Sequence, residues 1–508
     1  MSMSGSSFGT TSVPQALYAT VNTLIGLDEM LYCPNAHSFW GGHMHCVVPF
    51  AIAEMRTQYS SGTVGFGQSA TFRVPKGGDH LYWTYLVAQI PGLKADDDQS
   101  SLLTCGQFKL FGESCVDINA DKTHVGKQTL ADYLCQYGMA PSISGFLFDT
   151  SNTGGDLNWT TAEGAYAAAT NSRNLPSDLD DYAAYTNAVG FKLVREARFK
   201  VGSQTIVTLD SEYMFAQEEV GGRPGKRLEE MVGKRMGSVP EEILDELIID
   251  SMQTRYLYIP LPFWFTKAPS HTLSLLHLHL STPEIEVDFE TLQNLVIRSR
   301  EATCVKKYDG SPLQNTDLKC VLSTTHVWLP LVERERIQAQ GTEKVQIIHQ
   351  VQKYHSQLTT RVNNVRVTFN LPTLELLFFV RRGCRAANND WFNFTGLAGL
   401  DAVDFASLVV NNNTMINRTE GSYFRLVKPF ERHRLIPKSH IYTIPFALFP
   451  DEMLISGSLN FARYESIILN LELQHGFAST TEPADLFVYA PCYNSLLYRD
   501  GGCTLVFS

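Results

Sequence analysis

The chain has 508 residues, 44% of them hydrophobic and 18% charged, a balance that excludes a disordered protein and leaves room for two or more domains. Its net charge of −11, from 41 basic against 52 acidic residues, argues against a direct nucleic-acid-binding surface, and no Lys/Arg run announces a local one. The longest apolar run, Tyr256–Phe265, is interrupted by Pro260 and Pro262 and is too short to span a bilayer.

The opening MSMSGSSFGTTS has neither the basic nor the apolar region of a secretory signal, and residues 1–30 read as a mobile N-terminal arm. Ten cysteines with no C-x-x-C pair predict scattered reduced thiols rather than a disulfide framework, and hence synthesis in a cytoplasm. The sequons at Asn158, Asn393, Asn412 and Asn417 are then chance matches.

Strand-like runs separated by Gly, Pro and Asn turns dominate the rest of the chain. Tyr59–Val74 reads as strand, turn, strand, punctuated by Ser61-Gly62 and Gly65-Phe66-Gly67, and Leu81–Ala88 as a further strand. Between Leu93 and Ala188 the chain turns polar and turn-rich, with Asp96-Asp97-Asp98, Ser151–Gly155 and Asp178–Asp181, and is expected to be an elaborated surface insertion with some structure of its own. Phe191–Val207 alternates at Ala197, Phe199 and Val201 and then turns at Gly202-Ser203. Ser238-Val239-Pro240-Glu241 is a capping box with Pro in the first turn, so Glu241–Ser251 is predicted to be a helix. Tyr256–Phe265, Thr272–Leu280 and Lys319–Val332 are expected strands, and Glu333–Gln340 a charged linker ending at Gly341.

A second β-rich series runs to the end: Val345–His355, Val365–Asn370, Leu374–Val380, Ser407–Val410, Tyr423–Val427, two runs within Ile441–Leu473, and Leu486–Tyr489. Phe199–Ile206 and Leu408–Met415 share an apolar–x–apolar–[Gly/Asn]–x–x–Thr–apolar frame, with Gly or Asn where a hairpin calls for positive φ. This echo suggests an internal duplication.

Reactive constellations are scarce. Gly65-x-Gly67 lacks the third glycine and the helix of a dinucleotide fingerprint. His43-Met44-His45-Cys46 offers ligands on one strand face without a third and fourth, and His277 and His279 read as interior histidines on one side of a strand. Asp117-Ile118-Asn119-Ala120-Asp121 begins like a calcium loop, but Lys122 replaces its glycine and Gln128 its closing Glu. No catalytic, cofactor-binding or metal-binding residue is therefore assigned, and no cofactor.

The segment Ser456–Ser466, SGSLNFARYES, resembles a phrase S-G-x-x-N-F-[SA]-R found in the second jelly roll of the major capsid proteins of nucleocytoplasmic large DNA viruses. Ser61–Gly67, Leu193–Val207, the aromatic stretch from Tyr213, Tyr258–Phe265, Gly421–Phe424 and Tyr493–Leu505 are similar to further blocks of that family, in its order. The chain departs from the pattern at Lys267–Leu273, where the family usually has N-P-G-L-A-L-P, and in its longer insertion. The resemblance implies an all-β chain of two tandem eight-stranded antiparallel jelly rolls with long loop insertions and a few short helices. It places the first at 31–336, with the insertion at about 93–188, and the second at 337–508.

It further implies a structural protein and no enzyme: homotrimers of pseudo-hexagonal outline tiling an icosahedral virion shell. The expected partners are the protein itself, neighbouring capsomers, and minor capsid and penton proteins, with no direct nucleic-acid contact, no membrane span, and assembly in the host cytoplasm. The insertion and the Arg382–Ala406 loop, with Trp391 and Phe392, are candidates for the outer surface and trimer contacts. The alternatives are a carbohydrate-binding or carbohydrate-active β-sandwich and a minor or penton capsid protein.

Overall fold

The computed structural model describes residues 50–96, 109–110, 182–223, 226, 228–235, 240–298, 304–339 and 343–507. The N-terminal arm, His43–Cys46, Asp117–Asp121, Asn158 and most of the expected insertion lie outside the described residues. The first series of elements comprises β1 (Ala51–Thr57), β2 (Ser69–Arg73), β3 (His80–Ile90), β4 (Val194–Val201), β5 (Gln204–Asp210), α1 (Ser211–Gly221), α2 (Pro240–Ser251), β6 (Arg255–Pro260), β7 (Pro283–Phe289) and β8 (Lys319–Trp328). Helix α3 (Leu331–Ala339) leads into β9 (Lys344–Leu358), β10 (Val362–Arg366), β11 (Glu375–Arg382), β12 (Val403–Val410), β13 (Asn413–Glu420), α4 (Lys428–Arg432), β14 (Tyr442–Pro445), β15 (Ile467–Leu473) and β16 (Ala484–Arg499).

The two series build the same object twice. In the first, one sheet has the order β1-β8-β3-β6 and the other β2-β7-β4-β5; in the second, the orders are β9-β16-β11-β14 and β10-β15-β12-β13. Every one of these pairings is antiparallel. Each strand of the first half has its counterpart eight labels later, and each half is a double-sheet jelly roll. The hairpin echo falls at equivalent places: β4–β5 turns at Gly202 with φ +61°, and β12–β13 at Asn411 and Asn412 with φ +46° and +64°.

Alternation explains most strands. In β15, Ile467, Leu469, Leu471 and Leu473 face the core while Ile468, Asn470 and Glu472 do not; β4 likewise buries Ala197, Phe199 and Val201. The first core centres on Phe199, whose ring lies 5.3–5.6 Å from those of Phe263, Trp264 and Phe265. The second gathers Leu376, Phe378, Val380, Leu408, Leu469 and Leu486. β11 is buried along its whole length, so both faces of its sheet are covered.

Several segments differ from the sequence reading. Tyr256–Phe265 is strand only to Pro260; after Pro260 and Pro262 the chain enters a helical turn, Trp264–Lys267. Of Thr272–Leu280 only Leu273–Ser274 is strand, so His277 stands in a loop, its Nδ1 2.8 Å from the Ser274 hydroxyl. The charged linker is the helix α3, since ERERIQA consists mostly of good helix formers. Tyr423–Val427 is a π-helical turn running into α4 rather than a strand. Cys320, Cys492 and Cys503 are free, but Cys384 is disulfide-bonded, against the expectation of reduced thiols throughout. Among the described residues no helix is long and apolar enough to cross a membrane.

Candidate functional site

The outer face of the β9-β16-β11-β14 sheet packs against β5, α1 and the β6–β7 region of the first half, forming a seam inside the chain. Asp210, the last residue of β5, starts α1 by accepting the Tyr213 N–H at 2.8 Å. The same carboxylate accepts the Tyr489 hydroxyl at 2.8 Å and meets the Lys353 ammonium at 2.5 Å, so one residue caps a helix and ties the halves together. Burial, with the neighbouring Glu212, pushes the Asp210 carboxyl up from its ordinary value although Lys353 opposes this.

Two residues on, Glu212 lies 3.4 Å from both the Lys192 ammonium and the Arg381 guanidinium. Burial alone would raise this carboxyl; Lys192 and Arg381 outweigh it and hold it well below the usual carboxylate range. Lys192 also sits 3.9 Å from the centre of the Trp391 ring, and Arg381 donates to the Trp391 carbonyl at 3.1 Å. Trp391 Nε1 donates to the Asn294 carbonyl at 2.7 Å, and Phe392 stacks on Phe215 at 4.4 Å with the rings 11° apart.

These contacts correct the expectation for Trp391 and Phe392, the two aromatics named in the Arg382–Ala406 loop. Trp391 and Phe392, each 9% exposed, are not surface aromatics but anchors driven into the seam. Spacing in the sequence gave no warning, because their partners Lys192, Phe215 and Asn294 are distant in the chain.

A second clasp closes the other end of the seam. The His433 side chain is fully buried, with Nε2 2.8 Å from Glu375 Oε2 and Nδ1 3.1 Å from Asp451 Oδ1. Burial would lower its pKa, but Glu375 and Asp451 raise it to about 10, so the imidazole is a fixed cation at neutral pH. Leu435 N donates to the Val220 carbonyl and Lys438 N and Ser439 N to Glu219 Oε2, each at 3.0 Å, fastening this loop to α1.

Beside it opens a cavity of about 550 Å³ lined by Trp83, Tyr85, Glu218, Arg223, Lys267 and Asp451, among others. Burial pushes Glu218 up to about 7. The other lining carboxylate, Asp451, is already engaged by His433 and the Arg434 N–H, so the described lining does not hold the pair of free carboxylates that glycoside cleavage uses. Gly65 and Gly67 lie in the bend before β2, with Phe66 N donating to the Asn315 carbonyl and Gly67 N to the Glu290 carbonyl. Among the described residues no group of three or more His, Cys, Asp or Glu is placed to hold a metal ion. The buried charges neutralise one another, so their chemistry is cohesion.

Two family models match consecutive stretches: residues 157–331 match the major capsid protein N-terminus, and residues 333–503 the large eukaryotic DNA virus major capsid protein. The chain belongs to this capsid protein family. The major capsid protein of Pyramimonas orientalis virus is 23% identical over 351 residues, covering 64% of this chain and 78% of that protein. That of Phaeocystis pouchetii virus is 36% identical over 110 residues, 22% of this chain and only 21% of its own length; the match to the Chrysochromulina ericina virus protein spans 19% of its length.

In fold, this family member is similar to the PBCV-1 virus capsid protein (TM-score 0.61, 14% identity, 93% of this chain and 100% of that one). It is equally similar to the Faustovirus major capsid protein (0.61, 12% identity, 94% of each). Its relatives are capsid proteins rather than enzymes.

Proposed function

We propose that three copies of this capsid protein assemble into a capsomer of pseudo-hexagonal outline, and that such capsomers tile an icosahedral shell by repeated side-to-side contacts. The observation that carries the reading is the duplication: two jelly rolls of identical sheet order, locked at a seam, make two similar lobes per chain and six per trimer. On this reading the chain divides into an arm at 1–30, a first jelly roll at 31–336 and a second at 337–508, with α3 as the connection. Minor capsid and penton proteins are the further partners, and the host cytoplasm is the place of assembly.

Light scattering coupled to size exclusion tests it. A stable species of three times the 56.8 kDa chain, with hexagonal outlines in negative stain, is the expected result. A monomer at every concentration and after incubation with the other capsid proteins would sink the trimer.

A further inference from the structure

One charge stands outside the balance of the seam. Lys267 closes the helical turn Trp264–Lys267 after β6 and lines the cavity of about 550 Å³. Among the described residues its ammonium has neither a hydrogen-bond nor an ion-pair partner. Asp451 and Glu375 are near enough to act on it, but both are engaged by His433. Burial lowers the Lys267 pKa from its ordinary value although these two carboxylates oppose it, so its charge is held where little offsets the loss of water. His349 on β9 adds nothing negative: it is 4% exposed, neither ring nitrogen has a hydrogen-bond partner, and burial together with the Lys267 charge keeps it neutral.

The cavity around this cation is amphipathic. Trp83 and Tyr85, alternate residues of β3, hold their rings 5.9 Å apart and 17° from parallel, which makes a flat apolar wall. Phe191, Met214 and Met231 continue it, and methionine adapts to an irregular guest. Arg223, Lys226, Lys267 and Arg434 bring positive charge to the lining, against the two carboxylates of Glu218 and Asp451. Asp451 is held by His433 and the Arg434 N–H, and Glu218, pushed up to about 7 by burial, carries only part of its charge at neutral pH. Arg223 already lies 4.7 Å from the centre of the Trp83 ring and Arg434 3.7 Å from Glu452, which leaves Lys267 as the open contact.

We propose that this cavity binds a small amphiphilic carboxylate, its carboxyl group paired with the Lys267 ammonium and its apolar body laid along Trp83, Tyr85 and Met231. A volume of this size suits a small organic ligand. A single unpartnered ammonium calls for a single negative charge, which favours a carboxylate over a doubly charged phosphate. The first half supplies the apolar walls and Lys267, the second Arg434 and Asp451, so the guest bridges the seam and stabilises the two jelly rolls together. The site stands independently of the trimer.

The test is calorimetric titration of the full chain with dodecanoate below its micelle concentration. Saturable binding is expected, with a melting temperature that rises with dodecanoate concentration. Acetate, which lacks the body, and dodecyltrimethylammonium, which reverses the charge of the head, are expected to bind about tenfold or more weakly. Lys267→Met keeps the stem and removes the charge. Without ligand it is expected to melt no lower than the parent, since it deletes an unpaired cation, and to lose about tenfold or more in dodecanoate affinity. Met231→Glu, at a half-buried wall position, is expected to repel the same carboxylate with a comparable loss. The proposal is overturned by absence of saturable dodecanoate binding, by equal binding to the parent and to both variants, or by equal binding of the cationic amphiphile.

Discussion

The Phe392→Ala substitution separates a loop that holds the halves together from a loop that merely decorates the surface. Phe392 is 9% exposed and stacks on Phe215 at 4.4 Å, with Phe394 edge-on to Phe215 at 6.1 Å. Truncating a buried Phe costs ~3–5 kcal/mol, and the seam position, where the loop can settle into the gap, puts the expectation near the lower end, about 3 kcal/mol. A stacked pair adds coupling of ~0.5–1.5 kcal/mol, so the double variant with Phe215→Ala should cost less than the sum of the two single variants. Urea unfolding followed by both tryptophan fluorescence and circular dichroism measures this. Loosening the seam should also split a single transition into two, as the jelly rolls come to unfold separately. A change within about 0.5 kcal/mol of the parent, with no coupling to Phe215, is the behaviour of a surface loop and would refute the seam.

Phe263→Ala and Trp264→Ala should each cost ~3–5 kcal/mol, since both rings are buried around Phe199; an unmoved urea midpoint would place them outside the core. For His433, whose pKa rises from 6.5 unfolded to about 10 folded, the contribution to stability is complete below about pH 6.5 and is lost as pH rises through about 10. His433→Gln should therefore differ most from the parent near pH 6, less as pH rises, and converge with it in alkali; a pH-independent difference would contradict the buried imidazolium. A Cβ on Gly421 would sit 1.9 Å from the Val403 carbonyl oxygen, so Gly421→Ala should destabilise by ~1–3 kcal/mol, read as a lowered melting temperature. Cys492 and Cys503, both pushed up to about 12 by burial, should resist thiol reagents until the protein unfolds; rapid labelling of the native chain would count against their burial.

Local chemistry was legible where one face of a strand is wet. IILNLEL reads as β15 because its alternation is the burial pattern itself, and the Gly202 and Asn411-Asn412 turns declare their hairpins through the backbone they require. Helix α2 begins where the sequence Ser238-Val239-Pro240-Glu241 predicts a helix start. Legibility ended where tertiary context overrode local preference. Tyr423–Val427 carries aromatic and branched residues suited to a strand, yet Phe424 reaches the second core from a π-helical turn. The seam could not be read at all: Asp210 meets Tyr489, Glu212 meets Arg381 and Lys192 meets Trp391 only through the fold, and no periodicity encodes partners so far apart. The family resemblance supplied the architecture, but it offered no reason for β11 to be buried on both faces.

Holding two jelly rolls on one chain has a kinetic side. A contact such as Asp210 with Lys353 and Tyr489 forms within a single molecule, at an effective concentration fixed by the connecting helix rather than by how much protein the cell has made. In the proposed capsomer, half of the lobe-to-lobe contacts would already exist when synthesis ends, leaving only the other half to encounter and its loss of translational freedom.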